Sequence, residues 1–173
     1  MQAYNAQAVV DSHAQVIVAA EVTQEANDKQ QLVPMLEQVK MVTGSQPQQV
    51  TADSGYFSEA SVTDPRLVGL DLLVAPDRQK HSEKAPTATG PPPPESTGVA
   101  EQMRYKLRTA EGRAVYKMRK AVVEPVFGQI KERRGFRRFL LRGLAKVRAE
   151  WKLICATHNL LKLYHSGWSP QRA

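Results

Sequence analysis

The chain has 173 residues, 42% of them hydrophobic, which is enough for one ordinary domain with a real core and too few for two large ones. No run approaches the roughly eighteen apolar residues of a membrane-spanning helix and no signal-like segment opens the chain. The single cysteine, Cys155, excludes an internal disulfide and a cysteine-cluster zinc site, so the expectation is a cytoplasmic protein with no membrane partner. Charge is split: residues 1–100 carry 6 Lys and Arg against 12 Asp and Glu, a net −6, while residues 101–173 carry 18 against 5, a net +13, which suggests a polyanion as partner of the second part.

Ala3 to Asp11 and His13 to Val22, the second with the β-branched run Val16, Ile17 and Val18, read as an antiparallel hairpin. Asn27 or Asp28 is placed to cap a helix in which Leu32, Met35, Leu36 and Val39 recur at spacings of three and four until Gly44. Pro34, inside that pattern, is expected to shorten or kink it. A strand at Gln49 to Ala52 runs into Asp53-Ser54-Gly55-Tyr56, where glycine permits a sharp turn; Ser58 to Val62 can begin another helix and Leu72 to Ala75 another strand.

From Lys80 to Val99 the prolines and glycines, Pro91 to Pro94 above all, cannot build regular hydrogen-bonded structure, and 80–100 reads as a linker or insertion. Beyond it, Val115 to Ile130 predicts a helix with apolar residues at 118, 122, 126 and 130, and Leu144, Val147, Trp151, Ile154 and Leu161 mark another. Between the two, Lys131 to Arg142 holds six cations beside one acid, Glu132. His158 falls on the apolar spacing of the last helix and reads as a packed or partly exposed residue rather than a ligand; Trp151 reads as core and Trp168 as tail. The regions are thus an α/β part at 1–79, in which the hairpin and a parallel strand can share one mixed sheet, the 80–100 segment, and a basic helical part at 101–173.

Two acids stand out chemically. Asp53 follows a short strand and precedes a glycine turn, which puts its carboxylate at the carboxy-terminal edge of a sheet, although Asp-Ser-Gly is also ordinary turn chemistry. Glu124, on a continuous helix, would share a face with Lys120, Gly128 and Lys131, opposite Val122, Val126 and Ile130, which suits a groove binding phosphates and a divalent metal; it suits an exposed Lys and Glu pair equally. Pro125 disfavours helical backbone at Glu124, so the helix is expected to begin or kink there. Carboxylates from distant parts of a chain are what two-metal phosphoryl chemistry with Mg²⁺ or Mn²⁺ requires.

Tyr4-Asn5-Ala6-Gln7-Ala8-Val9-Val10-Asp11, Ala52-Asp53-Ser54-Gly55-Tyr56 and the run from Arg119 through Glu124 to Lys131 resemble, in order, three blocks of DDE-type bacterial insertion-sequence transposases. Arg134 to Gly143 and Trp151 through Asn159 to Lys162 are similar to that family's carboxy-terminal helices. The resemblance implies a ribonuclease H-like catalytic domain, whose element order from its second strand onward is the one read above, with Asp53 and Glu124 as catalytic, metal-binding residues. Tyr116, Arg119, Glu124 and Lys131 are similar to the family's Tyr, Arg, Glu and Lys signature, with Lys120 able to fill the arginine's role because the spacing is one residue longer than usual. DNA phosphates are the expected partners of Tyr116, Arg119, Lys120, Lys131, Arg133, Arg134, Arg137 and Arg138.

The family's first catalytic Asp lies on a strand upstream of the Tyr-Asn-Ala-Gln block, which here begins three residues after Met1, so the expectation is a carboxy-terminal fragment with an incomplete mixed sheet. Asp11 resembles a structural Asp at the end of the family's second strand, not a metal ligand. Two functions follow as expectations: DNA cleavage and strand transfer at transposon ends, with self-association in a nucleoid-bound DNA complex, or a non-catalytic DNA-binding remnant or regulator of transposition.

Overall fold

The computed structural model describes residues 4–78, 86–94 and 96–168, and these divide into two units: Met1–Glu25 with Ala121–Ala173, and Ala26–Lys120. The chain is mixed α/β with small sheets. Among the described residues no helix is long and apolar enough to cross a membrane.

In the first unit, strands β1 (Asn5–Val10) and β2 (Ile17–Thr23) pair antiparallel with Asn5 opposite Thr23 and a register shift between Val9 and Val10. Asp11 shapes the turn between them: its carboxylate accepts the amides of His13 at 3.1 Å and Ala14 at 2.7 Å, as short Asp side chains do in turns. Helix α5 (Leu144–His165) lays Val147, Trp151, Ile154, Cys155 and His158 against the hairpin, positions three or four apart that make one stripe. Trp151 is stacked on Phe127 with ring centroids 6.0 Å apart, and its indole N–H donates to the Gln7 carbonyl at 2.8 Å. Leu161, expected on that stripe, is 46% exposed, and His158 takes the buried position instead.

The second unit is built on β3 (Gln49–Ala52) and β4 (Asp71–Val74), parallel with Gln49 opposite Asp71. Helix α1 (Leu32–Thr43) contributes Leu32, Val33 and Leu36 to a core with Leu67, Leu72, Val74 and, from α3 (Val99–Arg108), Met103. α1 starts later than a cap at Asn27 or Asp28 would give, so Pro34 lies in its first turn, where the absent N–H has no intrahelical partner to lose. Gly44, at φ 77°, ends the helix in the left-handed conformation that favours glycine. A short helix, α2 (Glu59–Val62), precedes β4, its Ser58 cap accepting the Ser61 amide at 3.2 Å.

The described part of the 80–100 segment has no regular structure but is tied down: Ala88 N–H donates to the Arg108 carbonyl and Tyr105 Oη to that of Gly90, at 3.0 and 2.9 Å. Residues 80–85 and Glu95 of it, like Ala3 of the expected hairpin, lie outside the described residues. The predicted helix after this segment is preceded by α3, and itself begins earlier than expected: α4 spans Ala110–Gly128 and is followed by a π-helical turn, Gln129–Arg133. Thr109 separates α3 from α4, its hydroxyl donating to the Lys106 carbonyl and accepting the Gly112 amide. Of the apolar positions predicted on α4, Val126 is buried and Met118 is 59% exposed; Ile130, in the π turn, is buried.

A single mixed sheet does not form among the described residues: β1 pairs with β2, and β3 with β4. Each pair is covered within its own unit, the hairpin by α5 and the parallel pair by α1 and α3.

Candidate active site

Asp53 caps the carboxy-terminal end of β3, its carbonyl accepting the Tyr56 amide at 3.0 Å in the one-turn helix Ser54–Tyr56. Its carboxylate is exposed and ion-pairs with the Arg119 guanidinium from α4. Arg119 lies over the Tyr116 ring, 5.1 Å from its centroid, and the Tyr116 hydroxyl donates to the Ala52 carbonyl at 3.3 Å. Two residues three apart on one helix thus bracket the strand end that carries Asp53. Burial pushes the Tyr116 phenol up from its usual range, with Arg119 opposing and Asp53 reinforcing, so the hydroxyl stays a neutral donor at physiological pH. Burial raises the Tyr56 phenol too, helped by the charges of Asp28 and Asp53. Arg119 Nε is buried without a hydrogen-bond partner among the described residues, so the pair with Asp53 and the ring beneath carry its cation.

Asp28 is a carboxylate that sequence reasoning treated only as a helix cap. The space beside Gly55 is filled by it: a Cβ added there would stand 3.2 Å from Asp28 Oδ2. Its separation from Asp53 in sequence left no local signal for this approach.

Glu124 belongs to the other unit. It is exposed on α4 and makes no ion pair with a described residue. α4 does not begin at Pro125, one of the two expected alternatives, since it runs from Ala110 to Gly128; the Ala121 carbonyl, which the proline nitrogen cannot serve, accepts Gln15 Nε2 at 3.1 Å.

The expected DNA-binding residues divide by environment. Lys120, Arg133 and Arg138 are exposed and unpaired with described residues. Lys131 stands 5.4 Å above the Phe127 ring, and Arg137 pairs with Glu132. Arg134 is half-buried and holds the π turn to α5, donating to the Ile154 carbonyl at 3.1 Å and to the Thr157 hydroxyl. Asp11 is occupied by its turn amides. Among the described residues no group of three or more His, Cys, Asp or Glu side chains is gathered as a metal site. Asp53 and Glu124 nevertheless suit Mg²⁺ or Mn²⁺ in kind, being exposed hard oxygen donors.

Residues 81–164 match the family model described as transposase DDE domain, which supports a DDE-type transposase. The matched segment includes Glu124 and the basic stretch, while Asp53 lies outside it. No curated protein and no solved structure matches the chain.

Proposed function

We propose that the chain takes part in DNA transposition by metal-dependent phosphodiester hydrolysis and strand transfer, with Asp53 and Glu124 as metal-binding carboxylates on a ribonuclease H-like domain. The match of residues 81–164 to a transposase DDE domain, spanning the helix of Glu124, carries this reading. Asp53, at a strand end where α/β proteins commonly place catalytic groups, supports it. When bound, the metal would polarise the scissile phosphate and activate the attacking oxygen. The chain's own residues would supply the rest. Arg119 neutralises Asp53, Tyr116 fixes Arg119 over its ring, and the exposed cations Lys120, Arg133 and Arg138 are free to meet DNA phosphates. A third carboxylate, of the kind the resemblance implies, would complete the metal site beside Asp53 and Glu124. DNA of transposon ends and target, and a second copy of the chain within the DNA complex, are the proposed partners.

Asp53→Ala and Glu124→Ala should each abolish Mn²⁺-dependent nicking of end DNA while leaving DNA affinity nearly unchanged. Nicking at the parent rate in either variant would remove that residue from the site. The net +13 of residues 101–173 favours a second reading, a non-catalytic DNA-binding remnant or regulator. Salt-sensitive DNA binding with no metal-dependent cleavage would select it.

A further inference from the structure

Pro125 creates a defect in α4 one residue after Glu124. In an α-helix each carbonyl accepts the N–H four residues on, so the Ala121 carbonyl needs a donor at position 125, where proline has none. Helices usually kink or break at such a point. The donor here comes from the hairpin turn: Gln15 Nε2 donates to the Ala121 carbonyl at 3.1 Å, with the Val122 carbonyl a longer second acceptor at 3.4 Å.

Gln15 is aimed by its surroundings. It is the one non-glycine residue at positive φ among the described residues, at 56°, a conformation disfavoured for a side chain of its size. Asp11 holds the turn on one side; on the other, α5 grips it from positions 158, 159 and 162. His158 Nε2 lies 3.2 Å from the Gln15 carbonyl, and Asn159 exchanges two hydrogen bonds with the Ile17 backbone, at 2.9 and 2.8 Å. Lys162 Nζ donates to Gln15 Oε1 at 3.0 Å, which leaves the amide nitrogen, and not the oxygen, facing the α4 carbonyls. Strain at Gln15 is thus offset by six hydrogen bonds that Gln15 and Ile17 make with α4 and α5.

We infer that Gln15 is a positioning residue for Glu124: its side-chain amide replaces the backbone N–H missing at Pro125 and keeps helical the turn of α4 that carries the carboxylate. The functional part rests on the proposed reading of Glu124 as a metal ligand; the structural part does not.

The test uses the full chain with Gln15→Leu, Pro125→Ala and both together, read by amide hydrogen exchange over residues 121–130 and by Mn²⁺-dependent nicking. Gln15→Leu removes the donor, so amides of this stretch should exchange about tenfold faster. The Mn²⁺ concentration for half-maximal nicking should rise about tenfold with KM for end DNA unchanged. In the double variant the alanine that replaces Pro125 supplies its own N–H, so exchange and Mn²⁺ requirement should both return to within about twofold of Pro125→Ala alone. Gln15→Asn, which keeps the amide and tolerates the left-handed turn but falls short of α4, should behave as a milder Gln15→Leu and serves if the latter does not fold. Unchanged exchange in Gln15→Leu and Gln15→Asn, or a double variant no better than Gln15→Leu, overturns the inference. If Glu124→Gln retains full nicking, the reading of Glu124 fails, while exchange in the same variants still decides whether Gln15 holds the helix.

Discussion

His158 is 1% exposed, touches the Gln15 carbonyl and has Lys162 and Arg134 nearby, so a proton on its ring would add a buried charge beside two cations. Burial, then those cations, hold its pKa below the ordinary 6.5, although the Gln15 bond opposes them. The unfolded chain therefore binds the proton more readily than the folded one in the interval below 6.5. Stability owed to this group is complete above that value and is lost as pH falls through it towards the lower native pKa. Melting temperature should decline between about pH 7 and about pH 5, and His158→Gln, which can still donate to the Gln15 carbonyl, should flatten that decline. An identical pH profile in the variant would show that other groups set the acid sensitivity. Cys155 is governed by the same burial: its thiol is pushed up to about 12, which makes it a packed side chain rather than a nucleophile, as its position in the apolar pattern suggests.

Among the elements, the junction of α3 and α4 is the tightest. Gly112 lies so close to the end of α3 that an added Cβ would stand 2.0 Å from the Lys106 carbonyl oxygen, a contact backbone atoms cannot relieve cheaply. Alanine is the better helix former, yet Gly112→Ala should cost on the order of 1–3 kcal/mol, because overpacking outweighs the roughly 0.5–1 kcal/mol gained from propensity. Urea unfolding checks the sign: a stabilised variant would mean that α3 and α4 part more readily than their packing implies. α1, β3 and α5 were legible from local pattern, since Leu32 to Val39 and Val147 to Ile154 repeat at helical spacing and Gln49 to Ala52 ends on a turn signal. α3 was not foreseen, although Val99, Met103 and Leu107 stand four apart on it and Met103 and Leu107 join the core: three apolar residues among charged and polar ones make a short pattern beside the proline-rich segment.

At the scale of the whole molecule the uneven charge matters most. A surface that releases counterions from DNA should give a log–log dependence of affinity on salt with a slope of about −0.9 per phosphate contacted. Replacing both Arg133 and Arg138 by Ala should make that slope shallower by about 1.8, since each is exposed and unpaired among the described residues. Arg134→Ala should instead lower stability, because its guanidinium is spent on the Ile154 carbonyl and Thr157. Affinities measured across a salt titration separate the two outcomes, and an unchanged slope in the Arg133 and Arg138 variant would move the DNA contact elsewhere.

Local pattern by itself determined the order of strands and main helices, the turn at Asp53, the basic stretch after α4 and the family that these blocks resemble. These are matters of neighbouring residues, where side-chain period, glycine and proline act directly on the backbone. Tertiary structure alone decided that the four strands form two sheets, that Arg119 is bound to Asp53, that Arg134 is a brace, and that α4 continues through Pro125. The physical reason is the same in each case: the group that satisfies a charge or a carbonyl comes from a distant part of the chain, 106 residues away for Gln15 and Ala121, and no local spacing encodes it.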